Sequence, residues 1–184
     1  VDWSTHPPGE IVAHLLATHH AYTRDTLLRC GQLMEKVRTV HGAAHPELEA
    51  VVRALRAMAG DLVPHMAREE RVLFPHVLAL EDARSRDVAP PPPPFGTVHN
   101  PVRVMNADHR ETMRLLDTLS AVTGHYAAPP EACASWRTLY DSLDELARDL
   151  HQHIHLESNV LFPAAVALEA ALTARASGPS SRQG

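Results

Sequence analysis

The sequence has little of what marks several common protein classes. Its two cysteines, Cys30 and Cys133, lie far apart and outside any C-x-x-C pair, which excludes a disulfide scaffold and a cysteine zinc site. Aromatic residues are 4% of the chain and no convincing alternating run of β-branched residues exists, so strands are not expected. No uninterrupted apolar run approaches the roughly 18 residues of a membrane span. The start, which opens on Val1, carries no basic-then-apolar signal segment. Lysine is nearly absent (Lys36 alone), and with 22 acidic against 17 basic residues the formal charge is −5. Without a basic block, that balance argues against a nucleic-acid surface. The expectation is a cytoplasmic protein whose partners include neither nucleic acid nor membrane. Against these absences stands one excess: 14 histidines in 184 residues.

Helical periodicity is easy to find. A first helix is expected from near Pro8 to Val40, and a second from Pro46 to Ala83 with a kink at Pro64. After an extended proline-rich connector at 89–95, a third helix should cover Val102 to Thr123. Pro129-Pro130 should open a fourth, reaching about Thr173. Long helices with short or extended connections predict an all-α, antiparallel four-helix bundle. Its expected extent is residues 10–175, with a linker at 1–9 and a disordered polar tail at 176–184.

The second and fourth helices contain the same phrase. Residues 61–75 read DLVPHMAREERVLFP and residues 149–163 read DLHQHIHLESNVLFP, with eight of fifteen positions identical at a spacing of 88. Each copy is preceded by an H-x-x-T: His20 lies 45 residues before His65, and His109 lies 44 before His153. The bundle therefore reads as two related helical hairpins. The i, i+4 spacing puts His65 over Glu69 and His153 over Glu157. Each histidine also shares a stripe with apolar residues: Leu16, Leu27 and Met34 with His20; Met58, Leu62 and Val72 with His65; Val102, Met105 and Leu116 with His109; Leu146, Leu150 and Val160 with His153.

Four histidines and two glutamates thus converge on an otherwise apolar interior. A buried, unpartnered carboxylate costs several kcal/mol or is forced to protonate, so a multivalent cation is expected to hold the group. Six ligands exceed the roughly four of a closed zinc site, and two metals would each take two nitrogens and two shared oxygens. Mixed nitrogen and oxygen ligation in a bundle core suits iron or manganese. His151 and His155 point about 200° away from His153 and are expected on the solvent side. His19 is ambiguous beside His20, which fits the hairpin spacing better. His14, His41, His45, His76, His99 and His125 have no repeated counterpart and are expected on the surface or in loops. Asp61, Asp108 and Asp149 are placed either to accept hydrogen bonds from ligand histidines or to be ordinary solvated carboxylates.

On these residues the chain resembles the hemerythrin-like domain of the bacterial repair-of-iron-centres family. The likeness covers about residues 2–170 and rests on both V-L-F-P phrases with their H-x-x-x-E, on Asp108-His109, and on Pro129-Pro130-Glu131-Ala132-Cys133 leading to Trp136. The resemblance implies an oxo-bridged centre of two iron ions held by His20, His65, His109 and His153, with Glu69 and Glu157 bridging. It implies repair of iron–sulfur clusters damaged by oxidative or nitrosative stress, by supplying iron, with the damaged iron–sulfur proteins as partners. Family members usually carry a short N-terminal domain with a cysteine pair, and Trp3 sits about where the linker from such a domain would end.

Two other functions compete. A hemerythrin-like protein could bind or sense oxygen or nitric oxide, and a redox enzyme could reduce nitric oxide or peroxide. Oxygen-carrying hemerythrins use five histidines, with an H-x-x-x-H on the third helix and an H-x-x-x-x-D on the fourth. Here Met113 and Ser158 stand at those two places, so the asymmetric ligation suited to reversible oxygen binding is lost.

Overall fold

The computed structural model describes residues 1–90 and 92–177, and among these there are four long helices and no strand. A 3₁₀ turn, Trp3–Thr5, precedes them. The first helix runs without interruption through Pro8–His14, a π-helical turn at Leu15–His20, and Ala21–His41. The second comprises Leu48–Arg68, a π turn at Glu69–Leu73, and Phe74–Ser85. The third is His99–Val122, and the fourth joins Ala134–Leu156, a π turn at Glu157–Leu161, and Phe162–Ser177. The first helix packs on the fourth and the second on the third, giving the expected four-helix bundle.

Several boundaries differ from the sequence reading, each for a local reason. The fourth helix starts at Ala134 rather than at Pro129-Pro130: Pro130 and Glu131 form a turn, and Cys133 is still extended (φ −72°, ψ 168°) as the cap residue. The second helix starts at Leu48, after Pro46 and Glu47 form a turn. Gly124, His125 and Tyr126 all adopt positive φ and end the third helix sharply. The proline-rich connector is non-helical at its described residues, and its end is fastened where Glu169 accepts from the backbone N–H of Val98. The expected polar tail lies almost wholly outside the described residues.

The kink expected at Pro64 is not where the helix departs from α geometry. The departure lies at Glu69–Leu73 and recurs at Glu157–Leu161, immediately before Pro75 and Pro163. In an α-helix those prolines would bond the carbonyls of Arg71 and Asn159. They have no N–H to do so, and their rings press on those carbonyls, so the turn widens to i→i+5 bonding. The wider turn holds one extra residue and shifts the buried stripe. Leu73 and Leu161 are fully buried while Val72, expected in the core, is 43% exposed. The π turn in the first helix does the same: Leu15 is buried and Leu16 is 38% exposed.

The apolar interior falls into two main zones. One gathers Cys30, Leu55, Met58, Trp136, Leu139 and Leu143; the other gathers Ile11, Leu15, Phe74, Leu161 and Phe162. The histidines and glutamates of the repeat occupy the layer between them. By length and composition, Ala134–Ala176 is apolar enough to cross a membrane (mean hydropathy 1.2). In the bundle, however, its apolar face packs on the other helices, and His153 and Glu157 lie buried within it.

Candidate metal centre

All six residues of the repeated pattern meet in this layer, and each is at most 4% exposed. Their donor atoms form two groups, each within 4.8 Å: His20, His153, Glu69 and Glu157 in one; His65, His109, Glu69 and Glu157 in the other. Both carboxylates belong to both groups. Neither group is confined to one hairpin, since the first helix pairs with the fourth and the second with the third.

The donor geometry suits a cation better than a hydrogen-bonded cluster. His20 and His153 oppose their Nε2 atoms at 3.2 Å, and His65 and His109 at 3.1 Å. Glu157 comes within 3.1 Å of both His109 and His153, and Glu69 within 3.2 Å of His65. Yet all four carboxylate oxygens are buried and none makes a hydrogen bond of ordinary geometry. Four orphaned anionic oxygens in an apolar layer are untenable unless positive charge sits among them.

The far side of three of the rings is tethered. His20 Nδ1 donates to Glu70 Oε1 at 2.8 Å, and Arg24 in turn holds Glu70. His65 Nδ1 donates to Asp108 Oδ2 at 3.3 Å, with Arg68 on the same oxygen. His109 Nδ1 donates to Ser158 Oγ at 2.9 Å, which donates onward to Asn106. A proton held on Nδ1 leaves the Nε2 lone pair facing inward, as a ligand needs. The phenylalanines of the two V-L-F-P phrases back two of these tethered rings: Phe74 lies 5.5 Å from His20, and Phe162 stacks on His109 at 5.6 Å.

The sequence reading gave Glu70 no role and named Ser158 only as a departure from the oxygen-carrier pattern, although both stand directly after a candidate ligand glutamate in the repeat. Of the three aspartates it weighed, Asp108 contacts a candidate ligand, Asp61 accepts from Thr112, and Asp149 accepts from His19. His19 is itself buried, at 5% exposure. His76, expected at the surface, is buried beside Glu169 at 3.4 Å, because the shifted stripe after the π turn carries it inward. His151 and His155 are exposed, as helical phase requires.

The cluster's charge also shows in its proton affinities. Burial opposes a charged imidazole at His65, but the carboxylates of Glu69, Glu157 and Asp108 outweigh it and raise its pKa from 6.5 to about 9. Burial likewise disfavours the Glu157 carboxylate, yet the surrounding imidazoles hold it well below the ordinary range. In the metal-free protein the His65 charge therefore stabilises the fold fully below its unfolded pKa of 6.5, and that contribution is lost as pH rises through about 9. Metal must displace the same proton, so metal affinity should climb across this window. Titration calorimetry in buffers of different ionisation enthalpy should record proton release on metal binding near neutrality, fading above about pH 9. Proton release that grows with pH would contradict the assignment.

A four-helix bundle with paired histidines around two shared glutamates defines a metal-binding protein of the carboxylate-bundle class. Residues 12–165 match the Hemerythrin HHE cation binding domain, and the chain belongs to that family. Its relatives include proteins named "Iron-sulfur cluster repair protein YtfE". The one from Cronobacter sakazakii is 35% identical over 168 residues, covering 91% of this chain and 70% of the relative. Those from Edwardsiella ictaluri and Escherichia coli O157:H7 are 33% and 32% identical, covering 90% and 91% of this chain and 69% and 70% of theirs.

Proposed function

We propose that this protein repairs damaged iron–sulfur clusters by supplying iron from a two-iron centre held by His20, His65, His109, His153, Glu69 and Glu157. The observation that carries the reading is the sharing of both buried glutamates between two histidine pairs, which calls for two cations rather than one. The relatives' name supports the repair role. Bound iron would supply a releasable metal that also changes oxidation state. The chain's own part is to orient four Nε2 lone pairs through Glu70, Asp108, Ser158 and the phenylalanines, and to exclude water with the two apolar zones. Neither residue at the positions where oxygen-carrying hemerythrins ligate is a ligand here: Met113 packs against the core and Ser158 accepts from His109. The partners under this proposal are iron–sulfur proteins that have lost iron, and the site of action is the bacterial cytoplasm.

The test is metal analysis of protein purified from iron-replete cells, followed by incubation of the reduced protein with an apo iron–sulfur protein and sulfide. One iron ion for each of the two donor groups, and cluster assembly on the acceptor, are expected. A single tightly held zinc, or reversible stoichiometric oxygen binding without iron transfer, would overturn the proposal.

A further inference from the structure

The two halves of the centre are not equivalent, and the repeat shows where they part. His20 corresponds to His109, so the residue before each is a matched pair: His19 in one half, Asp108 in the other. Asp108 accepts from His65 Nδ1. His19 faces the equivalent ring, His153, but stacks on it instead, with centroids 5.5 Å apart and planes 19° from parallel. Its own Nδ1 donates to Asp149. His153 Nδ1 is consequently buried with no hydrogen-bond partner, and His153 is the one ring of the four without a tether among the described residues.

Beside His19, which stacks on this ring, lies a cleft of about 830 Å³, lined by Trp3, His14, His19, His151, His155 and Asn159 among others. His151 and His155 stand one turn apart on the same face of the fourth helix, a spacing from which two imidazoles can hold one metal ion. His151 donates its Nδ1–H to the carbonyl of Ala147 at 2.6 Å, and His19 donates its own to Asp149, so each keeps an Nε2 lone pair free; His155 Nδ1 lies 3.0 Å from the Asn159 side-chain amide and frees its own Nε2 when that amide turns its oxygen to it. Among the described residues only the two buried groups draw their donors within 4.8 Å, so the cleft histidines are an open set suited to brief rather than tight holding.

We propose that metal ions reach and leave the buried centre through this cleft. His151 and His155 hold a divalent transition-metal cation at the surface, and His19 passes it to His153, whose Nδ1 no hydrogen bond occupies. The inference rests on the buried cluster being the iron site, and its test separates the two. Protein and a His151→Ala/His155→Ala double variant are loaded anaerobically with ferrous ion, and both uptake and release to a ferrous chelator are timed. A His99→Ala variant, altered at an exposed histidine outside the cleft, serves as control.

The double variant should bind as much iron at equilibrium as the parent but exchange it about tenfold more slowly in both directions, with His99→Ala unchanged. Equal rates in parent and double variant, with full iron in both, would overturn the passage while leaving the buried site intact. Equal slowing by His99→Ala would overturn it too, since general surface charge would then be the cause. Failure of the parent itself to bind iron would remove the underlying reading and the passage with it.

Discussion

Replacing His153 by alanine should strip the protein of most of its iron, whereas His151→Ala and His155→Ala should each leave equilibrium iron content at the parent level. Three histidines within five residues make this a sharp test of helical phase. His153 is buried with its Nε2 3.2 Å from that of His20 and 3.1 Å from Glu157, while its two neighbours are exposed. Removing it takes one of two imidazoles from its donor group and leaves His20 facing an open space between two carboxylates. Loss of a residue that merely orients a ligand lowers metal affinity by about ten- to a hundredfold, and losing the ligand itself should exceed that. Metal analysis of the three purified variants, with circular dichroism to verify the fold, decides it. Equal iron loss in all three would mean that the wrong face has been assigned.

Iron should leave the reduced protein for a ferrous chelator much faster than it leaves the oxidised one. Under the proposed two-iron centre each ion would have two imidazoles and a share in two carboxylates, so anionic oxygen would provide the charge-dependent part of the hold. A ferrous ion carries one unit of charge less than a ferric ion, and in a buried layer of low dielectric that difference weighs heavily on attraction to Glu69 and Glu157. Neutral imidazoles are less sensitive to it. Mild acid should add to the effect, because protons then compete with the metal for the imidazoles and carboxylates. Release timed with a ferrous chelator, before and after anaerobic reduction, measures the ratio directly. If both oxidation states hold iron equally through a day of chelation while oxygen binds reversibly, the protein carries gas and does not donate iron.

Much of this centre could be read before any coordinates, because a helix turns its residues at a fixed rate. The i, i+4 spacing stacks His65 on Glu69 and His153 on Glu157 wherever those segments are helical, and the repeat 88 residues apart multiplies the signal. The first- and third-helix histidines were legible only through that repeat. What failed was one stripe position on each of the first two helices: Leu16 and Val72 were expected inside and lie outside. Straight α periodicity cannot anticipate a turn widened by one residue, although the prolines at 75 and 163 mark two of the three such turns.

The sequence by itself determined which six side chains could serve and that an apolar layer would receive them, since helical pitch is a local property of the chain. Tertiary structure alone decided how they are shared. His20 meets His153, and His65 meets His109, because the first helix packs on the fourth and the second on the third, so each donor group crosses from one hairpin to the other. Only that packing puts Glu70 behind His20 and Ser158 behind His109, contacts between residues 50 and 49 positions apart. It also sets His19 where Asp108 stands in the other half. No periodicity encodes such a difference, because it arises from which helix faces which across the bundle rather than from the turn of any one of them.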